Sequence, residues 1–437
     1  MDIKKTSDSN SSKGWIQRLK EESWEAELLV SAIAIFGTFK LFDIIGWATN
    51  NFINLLHPNQ YVIGYFITFF GLIALSVLAS MFLIHFFLRA YWIGLVGLNS
   101  VFPDYSIKDS AYSKIYTEKI LSILPKLTDS IKKVDELCSV IFSVAFTFLL
   151  MYGYMSIFAS IYLLIYNLLS DYIHQYILLI PAIIGAILML VQMIVTIIAN
   201  LKVYRENEKI QTLSFKVNQL ASFMLFGPLN KAILQVSMIF GSNFKKKKSL
   251  VNLVLTFIFL GIFLTGYQLK NTNILYLANN NKYYNSTKVY ASFYKEDNIN
   301  NTFLLSPEIA SDKVTSEVLK IFIPVFKHEK DLRTAPCDTL QIGKEATSDI
   351  KRSIQTDNFL NCIDTYYQLF IDDKKITVDF LRQNAHARTK QAGVISYVDV
   401  SQLTKGIHIL EIKKEYGNAS NLNWKIPFYY LPKKGVY

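Results

Sequence analysis

The sequence is poor in the residue types that build metal and redox sites. Only three of its 437 residues are cysteine and six are histidine, and none of them recurs at the spacing of a zinc site. A P-loop, a dinucleotide-binding fingerprint, an HExxH helix, a nucleophile elbow and a suitably spaced pair of carboxylates are also missing. The sequence therefore predicts no metal, no cofactor and no enzymatic activity.

Charged residues are scarce as well, at 18% of the chain against 51% that are hydrophobic. The apolar residues concentrate before residue 270, which argues against a large water-soluble core there and indicates a membrane protein. The first twenty residues are polar and mixed in charge, so we expect no cleavable signal peptide. Heavy use of Ile, Lys, Asn and Tyr is typical of an AT-rich bacterial coding sequence, and we expect a bacterial inner membrane.

Apolar runs predict about five membrane-spanning helices, because a helix needs about 20 apolar residues to cross ~30 Å of hydrocarbon. The runs are 28–47, 61–88, 139–169, 175–201 and 250–268. Lys40 and Asp43 in the first run are spaced to pair with each other, so an interfacial helix is an alternative there. Gly94 and Gly97 interrupt the apolar stretch 93–103, which we expect to be a short re-entrant or interfacial segment.

The basic residues alternate from loop to loop. Segments 48–60 and 170–174 carry no Lys or Arg, whereas the connections 89–136 and 202–249 are basic. The positive-inside rule then predicts five spans within 25–270, an N-terminal segment 1–24 in the cytoplasm and an extracytoplasmic tail. The apolar segment 221–240 is broken by Gly227-Pro228, and we expect it to lie on or dip into the inner leaflet.

The tail has a different periodicity. Residues 271–290 are rich in Asn and are expected to be a linker, whereas 291–437 carry about seven short runs of β-branched and aromatic residues. This pattern predicts an antiparallel β-sandwich of Ig-like type. Cys337 and Cys362 are expected to be able to form a disulfide if this domain lies in an oxidising compartment.

Polar side chains recur every four residues on the third and fourth spans. The two stripes are Ser139, Ser143 and Thr147, and Gln192, Thr196 and Asn200. A polar stripe that faces lipid is unfavourable, so each should face protein or water. The alternatives are a hydrated pathway at an oligomer axis and ordinary hydrogen bonding between helices. His85, inside the second span, needs a hydrogen-bond partner on the same reasoning.

A basic cluster precedes the fifth span. Its members are Lys202, Arg205, Lys209, Lys216, Lys231, Lys245, Lys246, Lys247 and Lys248. The cluster fixes the orientation of the chain in the membrane, and it is also a candidate site for an anionic ligand such as a nucleotide, an oligonucleotide or an anionic lipid.

Two stretches, Ser23-Trp24-Glu25-Ala26-Glu27-Leu28-Leu29 and Tyr91-Trp92-Ile93-Gly94-Leu95-Val96-Gly97-Leu98-Asn99-Ser100, look like those of bacterial inner-membrane proteins. A span bundle with a soluble tail and no catalytic motif resembles the membrane effectors of anti-phage defence, such as the channel component of the Hailong system. The resemblance implies a homo-oligomeric ion channel kept closed by a nucleic-acid-like ligand from a partner nucleotidyltransferase. Such a ligand is cytoplasmic and would meet the basic connection rather than the tail.

An ion channel or pore is thus the expected function. One alternative is a non-conducting membrane anchor that presents the β-sandwich to an envelope partner. A substrate transporter is a weaker alternative, because the spans show neither a repeated half nor a charged site at mid-membrane.

Overall fold

The computed structural model describes residues 4–105, 112–169, 172–243, 247–280, 289–297, 303–329, 366–416 and 419–432, and positions 354, 358, 360, 362 and 363. The chain forms two compact units. The helical unit comprises Met1–Ile45 and Ile67–Asn271, and the C-terminal unit comprises Gly46–Phe66 and Thr272–Tyr437. The boundary at residue 271 follows the change of periodicity in the sequence.

Helices dominate the chain up to this boundary. They are α1 (Lys4–Leu55), α2 (Tyr61–Val101), α3 (Lys114–Ile123), α4 (Leu127–Leu169), α5 (Gln175–Asn200), α6 (Glu208–Phe226), α7 (Asn230–Asn243) and α8 (Lys247–Leu269). Within the described residues, four helical segments are long and apolar enough to cross a membrane: Glu25–Leu55, Pro58–Val101, Lys114–Tyr166 and Tyr176–Asn200. They overlap the first four predicted spans, although the predicted runs 139–169 and 175–201 extend one to three residues beyond these segments. The described apolar part of α8, Leu255–Leu269, is shorter.

The expectation of a separate segment at 93–103 is wrong, because α2 continues as one helix to Val101. Each glycine lowers helix stability by only about 1 kcal/mol relative to alanine. Gly94 and Gly97 are surrounded by residues that favour the helix, and Leu95 between them is buried. The predicted break at Gly227-Pro228 is confirmed, since a 3-10 turn, Gly227–Leu229, separates α6 from α7.

Glycines mark the closest contacts between helices of this unit. A Cβ atom at Gly71 of α2 would collide with the hydroxyl of Tyr152 on α4. A Cβ atom at Gly261 of α8 would lie 3.0 Å from the Cα of Val77 on α2. Small residues let helix backbones approach closely in this way, so α8 packs directly against the middle of α2.

The C-terminal unit contains the strands. They are β1 (Glu308–Ile309), β2 (Lys313–Val314), β3 (Val318–Pro324), β4 (Tyr367–Ile371), β5 (Lys374–Ile376), β6 (Phe380–Gln383), β7 (Gly393–Asp399), β8 (Gly406–Tyr416) and β9 (Ala419–Tyr430). One sheet has the order β1-β3-β7-β6 and the other the order β2-β9-β8-β4-β5. All neighbours are antiparallel except β2 and β9. Ile321 and Val394 of the first sheet and Leu410 and Ile426 of the second share one apolar core.

The sequence pattern misses two features of this unit. The strands β1 and β2 have only two residues each, too few to show an alternating pattern. The predicted linker 271–290 also contains helix α9 (Ile274–Ala278), which buries three of its five residues, Ile274, Tyr276 and Leu277. The last two of these residues belong to the apolar core of the unit.

The turn between α1 and α2 also belongs to the C-terminal unit. Ile53, Leu56 and Tyr61 are buried in the same core as the strands. Asn54 Oδ1 accepts a hydrogen bond from the backbone N–H of Lys327 at 3.0 Å. Loop 48–60 is therefore a structural part of the C-terminal domain.

Candidate functional site

Arg89 on α2 is the most deeply buried charge among the side chains that the structure describes in the helical unit, at 1% exposure. Its Nη1 donates to Asp135 Oδ1 of α4 at 2.6 Å, and its Nη2 lies 3.2 Å from Glu27 Oε2 of α1. Its guanidinium carbon stands 4.5 Å from the ring centre of Trp92, in a cation–π contact. One arginine thus joins three helices.

The two carboxylates make this burial possible. A buried guanidinium loses several kcal/mol of hydration, which only close carboxylates and hydrogen bonds can offset. The planar guanidinium of arginine presents several N–H groups in a fixed geometry, so it can bind two carboxylates on different sides. The single ammonium group of lysine lacks this fixed geometry. The cluster has one positive and two negative charges, and it connects α1, α2 and α4.

A second polar contact lies one turn along the same helices. The Ser31 hydroxyl donates to the backbone oxygen of Glu27 at 2.7 Å. Because a hydroxyl has one hydrogen, its oxygen must accept from the Nδ1–H of His85, also at 2.7 Å. Both residues are completely buried. The prediction that His85 has a hydrogen-bond partner is confirmed.

The sequence gives weak signals for this cluster. Arg89 ends a long apolar run, which also fits a residue at the membrane interface. Glu27 reads equally well as a residue that stabilises a helix start. The sequence separation between Glu27, Arg89 and Asp135 hides their contact, which only the packing of three helices reveals.

The two predicted polar stripes make different contacts. On α4, Ser143 Oγ donates to Ser139 O at 2.9 Å and Thr147 Oγ1 donates to Ser143 O at 2.8 Å, so these hydroxyls are satisfied along their own helix. On α5, Thr196 Oγ1 donates to Asn218 Oδ1 of α6 at 3.2 Å. Gln192 is half-buried and Asn200 is exposed. The first stripe therefore remains free to line a pathway, whereas the second partly serves helix packing.

The predicted basic cluster lies on an exposed surface where the structure describes it. Lys202, Arg205, Lys209, Lys216 and Lys231 are all exposed. Lys247 and Lys248 are the first residues of α8, and Lys245 and Lys246 lie outside the described residues. Whether this surface binds an anion stays a prediction.

The C-terminal unit holds a buried ion pair that the sequence does not indicate. Lys414 of β8 pairs with Glu329, and each side chain is nearly inaccessible. The rings of Phe326, Tyr366, Tyr367 and Trp424 surround the ammonium at 5.5–5.9 Å. Glu329 Oε2 also accepts a hydrogen bond from the backbone N–H of Phe326 at 3.2 Å.

His328 connects this pair to the turn. Its Nδ1 lies 3.3 Å from the backbone oxygen of Asn54, and its ring stacks on Phe326. Burial, together with Lys414 and against the effect of Glu329, lowers the pKa of His328 to about 4. The ring is therefore neutral at physiological pH and donates from Nδ1.

The remaining predicted site is the disulfide. Cys362 is buried and disulfide-bonded, and Cys138 of α4 is a free buried thiol. Cys337 lies outside the described residues, so its pairing with Cys362 stays a prediction. No group of three metal-ligating side chains occurs in the described part of the chain.

Comparison with known proteins gives no further guide. No protein-family model, no curated protein and no solved structure matches this chain. Its function has to be argued from the residues and contacts described above.

Proposed function

We propose that the protein is a homo-oligomeric ion channel of a bacterial inner membrane. The observation that carries this proposal is the exposed surface of α4 and α5. In the most apolar 18-residue stretches of these two spans, only 6% and 0% of the residues are buried within one chain. Lipid can cover the apolar residues, whereas the hydroxyl stripe Ser139, Ser143 and Thr147 of α4 is better solvated by water or by polar groups of another chain than by hydrocarbon. Further copies of the chain would place this stripe on a shared, hydrated axis.

Two observations support a fifth membrane span in α8. Gly261 packs against Val77 in the middle of the second span, which places α8 alongside a membrane helix. The turn after the first span also belongs to the C-terminal unit, so the turn and the tail lie on one side of the membrane. The turn after the first span and the tail can lie on the same side only if the chain crosses the membrane an odd number of times. The four other helices give four crossings, and α8 adds the fifth.

The C-terminal domain is proposed to be an Ig-like β-sandwich. Ig domains have the strand orders A-B-E-D and G-F-C in their two sheets. Here β1-β3-β7-β6 and β9-β8-β4 follow these orders. The chain departs from antibody domains in its tryptophan, since Trp424 lies on β9 rather than on β4. With basic connections in the cytoplasm, the domain is extracytoplasmic.

The proposed gate is an anionic ligand at the basic cluster of the cytoplasmic connection. Three exposed basic residues follow the end of α5 in the chain: Lys202, Arg205 and Lys209. An anion bound there would act directly on that helix. The resemblance to anti-phage membrane effectors suggests a nucleotide or oligonucleotide made by a nucleotidyltransferase, and an anionic lipid is the other candidate.

Ion flux tests the proposal. Full-length protein in liposomes is expected to carry an ion flux, which changes the fluorescence of a trapped ion-sensitive dye. Ser143→Leu is expected to reduce that flux strongly, because it places an apolar side chain on the hydrated stripe. Ser160→Leu is the matched control: Ser160 is exposed on the same helix with the same type of backbone hydrogen bond, but at 100° per residue it faces another side. Flux that is absent with assembled protein under all tested ligands, or equal in both variants, would count against a pore at this stripe.

A non-conducting anchor for the C-terminal domain is the second candidate. The hydrogen bond between Thr196 and Asn218 favours it, because it assigns part of the α5 stripe to helix packing. This candidate predicts that Gln192→Leu and Asn200→Leu have no effect and that the domain captures an envelope partner.

A further inference from the structure

Helices α6 and α5 run antiparallel, side by side. Gln211 Nε2 donates to the backbone oxygen of Ala199 at 2.9 Å, and Asn218 accepts from Thr196 at 3.2 Å. From Gln211 to Asn218 the contacts advance along α6, while their partners on α5 go back from Ala199 to Thr196, toward the middle of α5. From the basic connection, α6 therefore runs back into the layer occupied by the membrane spans.

The break after α6 lies against the middle of another span. Gly227 has φ +47°, and a Cβ atom there would collide with the hydroxyl of Tyr154 on α4. Tyr154 lies midway between Ser139 and Leu169, about 22 Å of helix from either end at ~1.5 Å per residue. Because the hydrocarbon core is ~30 Å thick, this contact places the broken turn near mid-membrane.

A contact at the far end of α4 confirms this alignment. The Tyr162 hydroxyl donates to the backbone oxygen of Leu178 at 2.6 Å, which fixes α5 alongside α4. Tyr154 lies eight residues before Tyr162 on α4. The contact of Thr196 with Asn218 lies nearer to the cytoplasmic end of α5. From Asn218, α6 needs about 13 Å at ~1.5 Å per residue to reach Gly227, which agrees with its contact to Tyr154.

We infer that α6, the turn Gly227–Leu229 and α7 form a re-entrant hairpin, and that Lys231 at its apex lines the ion pathway and selects for small anions such as chloride. The inference rests on the proposed channel function. Non-helical backbone occurs at membrane depth only where it is buried in protein or lines a water-filled cavity. The hairpin returns to the cytoplasmic side, so the basic residues at both of its ends stay on one side.

Lys231 carries the selectivity. It lies in the first turn of α7, four residues after Gly227, and is exposed within the chain. No ion pair joins it to a carboxylate in the described residues. A lysine at the bilayer centre costs about 2.5–3.5 kcal/mol on insertion scales unless water or a counter-ion reaches it. A ring of such lysines, one from each copy, would attract anions.

Reversal potentials in a KCl gradient across planar bilayers test this selectivity. The full-length protein is expected to be anion-selective, Lys231→Gln to lose most of that selectivity and Lys231→Glu to favour cations. Lys119→Gln is the control, because Lys119 is also exposed but lies on α3, outside the basic cluster. A cation-selective wild type, or a Lys231→Glu channel with unchanged reversal potential, would overturn the role of Lys231 and leave the channel proposal standing.

The depth of the hairpin is tested separately. In a Cys138→Ala background, Leu229→Cys is labelled with a fluorophore and reconstituted with lipids brominated at different depths. Strongest quenching by the deepest bromines supports the hairpin, and strongest quenching near the headgroups overturns it. If no variant carries current, the channel proposal and the role of Lys231 both fail, while the quenching profile still decides the hairpin.

Discussion

Replacing Arg89 with leucine is expected to destabilise the helical unit by about 3–5 kcal/mol. The substitution removes the partner of two half-buried carboxylates, Glu27 and Asp135, whose side chains are 20% and 28% exposed. Two negative charges would then face each other without compensation at the junction of three helices. Thermal unfolding in detergent, followed by helical circular dichroism, measures the loss as a lower midpoint.

The matched controls separate charge from packing. The triple variant Arg89→Leu, Glu27→Gln, Asp135→Asn removes all three charges and is expected to recover much of the stability. Arg89→Lys keeps the positive charge but loses the fork and most of the contact with Trp92, so an intermediate loss is expected. An Arg89→Leu protein as stable as the wild type would show that the cluster does not hold α1, α2 and α4 together.

Acidification is expected to loosen the C-terminal unit through His328, by about 3 kcal/mol between about pH 6.5 and about pH 4. The folded state holds the neutral ring, with a pKa of about 4, whereas the unfolded chain titrates near the ordinary value of about 6.5. The unfolded state therefore binds more protons in this window. The contribution is fully present above the window and falls as the pH decreases through it.

The control for this prediction is His328→Asn, whose amide can replace the Nδ1–H donor toward Asn54 without titrating in this range. Hydrogen exchange of the β8 and β9 amides in the full-length protein gives the opening free energy of each form. The difference between wild type and variant removes the contribution of other groups, including His408. Its pKa is raised, because the effect of burial is outweighed by the hydrogen bonds that His408 donates to Asp372 and to the backbone oxygen of Thr404. A difference that does not change with pH would contradict the assignment.

The membrane helices were predictable because their signal is local. A run of about 20 apolar residues needs no partner to be recognised, and the first four runs coincide with parts of α1, α2, α4 and α5, except for Leu201. The fifth run illustrates the limit. Its assignment as a span depends on the contact of Gly261 with Val77 and on the position of the α1–α2 turn, which involve residues far apart in sequence.

The candidate sites were less predictable for the same reason. Periodicity places Ser139, Ser143 and Thr147 on one face of α4, but it does not reveal that the hydroxyls of Ser143 and Thr147 are satisfied within the helix. Lys414 and Glu329 stand 85 positions apart, and neither residue has a local pattern that distinguishes it from a surface charge. Burial of a charge depends on tertiary packing, which a single sequence does not display.

In the proposed topology the α1–α2 turn and the C-terminal domain share one side of the membrane, opposite the basic connection. Single cysteines at the exposed positions Asn59, Lys405 and Arg205, each in a Cys138→Ala background, test it with a membrane-impermeant thiol reagent on intact cells, against the background protein without an added cysteine. We predict that Asn59→Cys and Lys405→Cys are labelled from outside and that Arg205→Cys is labelled only after lysis. Labelling of Asn59→Cys and Lys405→Cys from opposite sides would contradict the account.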